Sequence, residues 1–223
     1  MLNQLKRKAM GKITELIFII DKSGSMSGLE ADTIGGFNSM LQKQKEGEGV
    51  CHLSTILFSN ESEVLHNRRN IEKIEPLTRN EYRVGGCTAL LDAMGDAIQH
   101  TVKVQKNAAD DERASNVVFV IITDGEENSS TRYSKRDIKK MISYEQEKYG
   151  WEFIFLGANI DAIETADSFG IKKERASNYV CDSVGVNLNY RCLEKAITHL
   201  RGKGFISDDW NEEVEADYAR RGK

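Results

Sequence analysis

The chain has 223 residues, 30% of them charged, with a formal net charge of −4. That length is enough for one large domain with a substantial core. The slight acidity supplies no field to attract phosphates, so nucleic acid is not expected as a partner. No apolar run approaches the ~20 residues of a membrane span, and no cleavable leader is evident, so neither membrane nor secretion is expected.

Residues 1–14 read as a basic lead-in carrying Lys6, Arg7, Lys8 and Lys12. Leu16-Ile17-Phe18-Ile19-Ile20 then predicts a buried strand over 15–20, followed at once by Asp21-Lys22-Ser23-Gly24-Ser25. A helix is predicted over 29–45, with Ile34, Phe37 and Leu41 on one face, and Gly47 and Gly49 end it. A second strand is predicted over 50–58. Only residues 59–62 separate it from an extended segment at 63–66, too few for a helical crossover. The two should pair antiparallel, with the later and shorter strand at a sheet edge.

An irregular stretch over 67–86 holds the only proline, Pro76. Gly85-Gly86-Cys87-Thr88 leads into a helix predicted over 89–106 with Leu91, Met94, Ile98 and Val102 inward. After a polar loop over 107–115, Val117 to Ile122 is an apolar strand ending in Thr123-Asp124-Gly125. A helix at 135–148, a strand at 151–156, a short helix at 161–169 and a short strand at 178–181 follow. The last predicted helix runs over 188–200 with Leu193, Ile197 and Leu200 inward, and residues 202–223 read as a charged tail. Alternating strands and helices point to a Rossmann-like three-layer α/β/α fold with a mostly parallel six-stranded sheet and one short antiparallel edge strand. One domain should span 15–201.

The four cysteines are scattered with no C-x-x-C pair, which argues against structural zinc or a disulfide framework and for a cytoplasmic protein. The four histidines show no ligand spacing either. Asp21, Ser23, Ser25, Thr88 and Asp124 form a different kind of set. In a parallel α/β sheet, ligands bind beyond the carboxyl ends of the strands, where strand order reverses. If the strands at 15–20 and 117–122 are neighbours, these five residues meet on one rim. Hydroxyls and carboxylates are hard oxygen donors suited to Mg²⁺ or Mn²⁺. Taken singly, Ser23 and Thr88 read as helix N-caps and Asp124-Gly125 as a turn pair. Their joint placement favours the metal. Glu126, Glu127 and Asn128 would lie solvated beside it, where a docking partner would feel their charge.

The pattern D-x-S-x-S, a later G-x-T-A-L-type threonine and a later T-D-G-E resembles the von Willebrand factor type A domain, over about residues 15–200. The resemblance implies a metal-ion-dependent adhesion site. In it Ser23 and Ser25 bind the ion directly, Thr88 does so when ligand is present, and Asp21 and Asp124 act mainly through water. It also implies a protein partner whose Asp or Glu completes the coordination. Stand-alone intracellular members of the family suggest a subunit or adaptor of a complex, with an ATPase as one such partner. The residues themselves leave a second reading open, a Mg²⁺-dependent phosphohydrolase or phosphotransferase in which Asp21 accepts the phosphoryl group. Against it, Ser23 stands where a second acid would be expected, and no phosphate loop or general base is visible.

Overall fold

A computed structural model describes residues 12–222; most of the expected lead-in lies outside them. The elements run β1 (Thr14–Asp21), α1 (Glu30–Lys45), β2 (Cys51–Phe58), β3 (Ser62–Asn70), α2 (Leu90–Asn107), β4 (Asn116–Thr123), α3 (Lys135–Tyr149), β5 (Glu152–Gly157), α4 (Ala162–Ser168), β6 (Ala176–Asn178), α5 (Ser183–Lys203) and α6 (Glu212–Arg221). The sheet order is β3-β2-β1-β4-β5-β6, parallel throughout except β3, which pairs antiparallel with β2 at the edge. The chain steps from β1 to β2 on one side and returns to β4 on the other, so the topological switch lies between β1 and β4.

The alternation of a strand explains the layers. In β1, Leu16, Phe18 and Ile20 join a core with α1 and α5, while Ile17 and Ile19 join the opposite core under α2, α3 and α4. All five are 0% exposed, as a strand sandwiched between two helical layers requires. The helix ends follow local chemistry. α1 has Glu30 and Asp32 in its first turn and Lys43 and Lys45 in its last, which complements the helix dipole. Ser134 and Asp137 form a reciprocal capping box on α3, and Gly150 closes it in the left-handed conformation. α1 and α5 approach closely because Gly36 has no side chain; a Cβ there would lie 2.3 Å from the Tyr190 ring.

Three expectations are corrected. β3 runs past 63–66: it has nine residues, six of them in register with β2 through shifts around Thr55, and Arg68 adopts φ 47°. Its sequence is polar because it is an edge strand with little to bury, so apolar patterning understates its length. β6 lies at 176–178, where Ala176 pairs with Phe155 and Asn178 with Gly157; residues 179–182 turn away towards α5. α5 starts at Ser183, five residues before the predicted start, with Asp182 accepting from the Gly185 amide at 2.8 Å.

The largest correction concerns the tail. Ile206, Trp210 and Val214 are 1%, 4% and 1% exposed and belong to the core beneath α5. The Trp210 indole donates to the Glu174 carbonyl at 2.9 Å, and Arg221 pairs with Asp182 at 2.5 Å and with Asp217. Residues 205–221 are thus a packed part of the fold. Among the described residues, no helix is long and apolar enough to cross a membrane.

Candidate metal centre

Asp21 ends β1 and Asp124 directly follows β4, so parallel pairing of these two strands brings the acids to the same rim, at the switch point. Asp21 is 0% and Asp124 1% exposed. The two oxygens of Asp21 are held separately: Oδ1 accepts from the Ser23 amide at 2.7 Å and Oδ2 from Thr123 Oγ1 at 2.6 Å. Its carbonyl accepts from the buried Tyr82 hydroxyl at 2.5 Å. Ser23 Oγ and Ser25 Oγ lie 3.0 Å apart, and Ser25 Oγ donates to Asp124 Oδ1 at 2.6 Å. The other Asp124 oxygen accepts from Cys181 Sγ at 3.8 Å, and its carbonyl accepts from Asn159 Nδ2 at 3.2 Å. Asn159 holds this position with φ 57°, a conformation uncommon outside glycine.

Thr88 enters from a third loop. It precedes α2 without capping it, because the N-cap position is Ala89. Ser23 likewise caps nothing with its side chain, although a short 3-10 turn begins at Gly24. The capping readings are therefore set aside for both. Ser25 Oγ and Thr88 Oγ1 flank Gly125 from two sides, 3.5 and 3.9 Å from where a Cβ of that residue would be. All five residues named from the sequence are thus brought to one rim.

The three loops are laced to each other through the backbone. Gly24 N–H donates to Gly86 O at 3.0 Å and Gly85 N–H to Lys22 O at 2.8 Å. Gly86, at φ 87°, has to be glycine: a Cβ would meet Asn60 Oδ1 at 2.1 Å, the same atom that accepts from the Cys87 amide. Thr88 and Asn128 exchange two bonds, Thr88 N–H to Asn128 Oδ1 at 2.9 Å and Asn128 N–H to Thr88 O at 3.0 Å. Glu127 is a fastener too, not a solvated rim charge: it accepts from the amides of Leu91, Ser129 and Ser130. Neither residue announces such a role in sequence, since its partners lie about 40 positions away or depend on the local turn. Tyr82, Asn159 and Cys181 were equally silent.

Asp92 anchors the far end of the β4 loop by accepting from the amides of Thr131, Arg132 and Tyr133 at 2.9–3.0 Å. Burial works against its ionisation, but these amides and Arg132 outweigh burial and hold its carboxyl below the usual range. Its ionised form therefore stabilises the fold at neutral pH, and that contribution disappears as pH falls below the ordinary carboxylate range near 4. Asp92→Asn, which turns an NH₂ towards an amide donor, is expected to cost about 1–3 kcal/mol at pH 7. In paired denaturation curves the gap to the parent should narrow as pH drops towards 3; a gap independent of pH would refute the assignment.

Electrostatically the rim is uncompensated. Burial pushes the Asp21 carboxyl above its ordinary range; bonds from Thr123 and Ser23 pull against this, and the Asp124 charge adds to it. Burial also raises Asp124, against the bonds from Ser25 and Cys181. Two adjoining buried carboxylates with no cationic partner among the described residues are what a bound cation would relieve. Among the described residues no three His, Cys, Asp or Glu side chains cluster as metal ligands, so any such site here depends on hydroxyl oxygens. Ser25 fits that use: its proton is directed to Asp124, so it meets Ser23 Oγ as an acceptor and keeps a second lone pair for an ion.

The family model of the von Willebrand factor type A domain matches residues 15–182. The chain belongs to this family. Solved structures share the VWA fold at low sequence identity. A von Willebrand factor type A protein from Catenulispora acidiphila is 13% identical, with TM-score 0.55 over 84% of this chain and 43% of that one. Proximal thread matrix protein 1 from the mussel byssus, with a zinc-occupied MIDAS motif, is 11% identical, with TM-score 0.58 over 83% and 48%. Manganese-loaded TRAP protein from Plasmodium vivax is 16% identical, with TM-score 0.53 over 79% and 72%. The VWA chain described here spans less than half the length of the first two. No curated protein matches it in sequence.

Proposed function

We propose that this VWA domain is a cation-dependent protein-binding module. The observation that carries the reading is the convergence of Asp21, Ser23, Ser25, Thr88 and Asp124 from three loops. The two acids are buried with no cationic partner among the described residues, and Ser25 gives its proton to Asp124. Mg²⁺ or Mn²⁺ held there would offer a coordination position to an Asp or Glu carboxylate of a partner protein. Ser23, Ser25 and Thr88 would hold the ion with neutral oxygens, so its charge stays attractive to an incoming acid. Asp21 and Asp124, already fixed by Thr123, Ser23 and Ser25, would balance part of the charge from behind. Two proteins of the same fold, one with a zinc-occupied MIDAS motif and one manganese-loaded, support a divalent ion at this rim.

The domain's own groups make and break no bond in this reading. The rim has no histidine, and Lys22, the cation next to Asp21, is paired with Glu63 at 2.6 Å. That pairing disfavours phosphoryl transfer through Asp21, because it occupies the lysine that would have to hold phosphate. We place the protein in the cytoplasm, as a subunit or adaptor of a complex in which an ATPase is one candidate for the acidic partner. The test is capture of partners on immobilised full-length protein, with Mg²⁺ and with EDTA. A protein retained with Mg²⁺ and released by EDTA is the expected result. Partners retained equally in both would overturn cation dependence, and Mg²⁺-dependent turnover of a phosphate ester, lost in Asp21→Asn, would favour the enzyme.

A further inference from the structure

At the opposite end of the sheet from the metal rim, a cavity of about 290 Å³ opens between α2, the start of β4, α3 and the start of β5. Val102, Ala114, Val117, Tyr149 and Trp151 make its apolar walls. This is the small end of the range in which proteins hold small molecules. Into this lining comes Glu145, which is 5% exposed.

Glu145 occupies an unusual position. On α3 the buried residues are Ile138, Ile142 and Glu145, spaced as one inward stripe, so an acid stands where packing calls for an apolar side chain. Among the described residues its carboxylate accepts no hydrogen bond and makes no ion pair; Lys106 and Lys148 act on it only at longer range, and burial raises its carboxyl. Two cations share the lining, Lys106 and Arg113, and Lys148 lies on the same helix as Glu145. Arg113 donates to the carbonyls of Gln105 and Ala108 and to Asp110. Lys148 donates to Tyr144 Oη at 2.5 Å and lies over the Tyr144 and Tyr149 rings. Lys106 is exposed. Gln105 and Ser115 complete the lining, and a carboxylate without a direct partner beside apolar walls is costly unless something pairs with it.

We propose that this cavity is a second ligand site, for a small organic ammonium ion with an aromatic or branched apolar body. Glu145 takes the ammonium, while the apolar walls, including the side chains of Trp151 and Tyr149, take the body. Arg113 is already bonded to Gln105, Ala108 and Asp110, so of the lining cations Lys106 is the one that would compete with the ligand for Glu145. The site uses none of the residues of the metal rim, so the two readings stand or fall separately.

The test is calorimetry on the full chain in EDTA with three probes of one shape: phenethylammonium, its neutral analogue phenylethanol, and phenylpropionate. Phenethylammonium should bind saturably, at least tenfold tighter than phenylethanol, with phenylpropionate weakest. Glu145→Gln should weaken phenethylammonium at least tenfold and leave phenylethanol unchanged, with an unchanged or higher melting temperature showing that it folds. Ala114→Phe, which fills the cavity from its wall, should abolish binding of both. Absence of saturable binding, full affinity in either variant, or tightest binding by phenylpropionate would each overturn the proposal.

Discussion

Ser25→Ala is expected to abolish the stabilisation of this VWA domain by Mg²⁺ while leaving the metal-free protein folded. A ligand that binds only the native state stabilises it by about 2.7 kcal/mol at one hundred times its Kd. For a chain of this size that corresponds to a rise in Tm of about 5–10 °C. The parent should show this rise on adding Mg²⁺, and Ser25→Ala should show none. Ser25 is the cleaner probe of the five because it is exposed and its loss removes one hydroxyl oxygen and one bond to Asp124. Asp21→Ala removes more. It leaves the Ser23 amide without its acceptor and removes the shorter of the Thr123 hydroxyl's two bonds at a 0% exposed position, so lost metal response would be mixed with lost stability. An Mg²⁺-induced rise in Tm in Ser25→Ala as large as in the parent would sink the site assignment.

Trp210→Ala is expected to be the most destabilising single change outside the sheet. The side chain is 4% exposed, packs in the core that holds Ile206 and Val214, and donates its indole N–H to the Glu174 carbonyl. Truncating a buried tryptophan costs about 3–5 kcal/mol, a fall in Tm of about 6–20 °C at this chain length. Were residues 202–223 a solvated tail, the same substitution would stay within about 0.5 kcal/mol. Thermal and urea unfolding distinguish the two outcomes directly. Deleting residues 205–223 should be at least as harmful, because it also removes Arg221 from Asp182, the residue that caps α5.

The contrast between these two predictions shows where sequence is informative. Asp21, Ser23, Ser25, Thr88 and Asp124 could be named from residue type and position alone, since each follows a buried strand or precedes a helix. The antiparallel β3 was equally accessible, because four residues cannot carry a crossover. The stripe Ile206, Trp210, Val214 was also present, at i, i+4 and i+8, but acidic and basic neighbours on the outer face of α6 obscured it. The true start of α5 was signalled by Asp182 as a cap, then hidden by Gly185 and Asn187, which are poor helix formers. The burial of Glu145 has no sign in its residue type, because an acid on a helix is ordinarily on the wet side.

Local pattern therefore sufficed for strand and helix identity, for the sheet type and for the chemistry at the ends of β1 and β4, because period, capping and chain length act over a few residues. Burial and pairing across long separations belong to tertiary structure alone. Only there do Cys181 and Asn159 reach Asp124, Glu127 and Asn128 lace two loops together, and the last helix close over the core. The physical reason is that a hydrogen bond or an apolar contact between residues 30 to 150 positions apart leaves no local trace. The convergence of the five oxygen-bearing residues was legible because the fold assembles that rim from strand ends; its fasteners and the Glu145 cavity were not, because they exist only once the helices have packed.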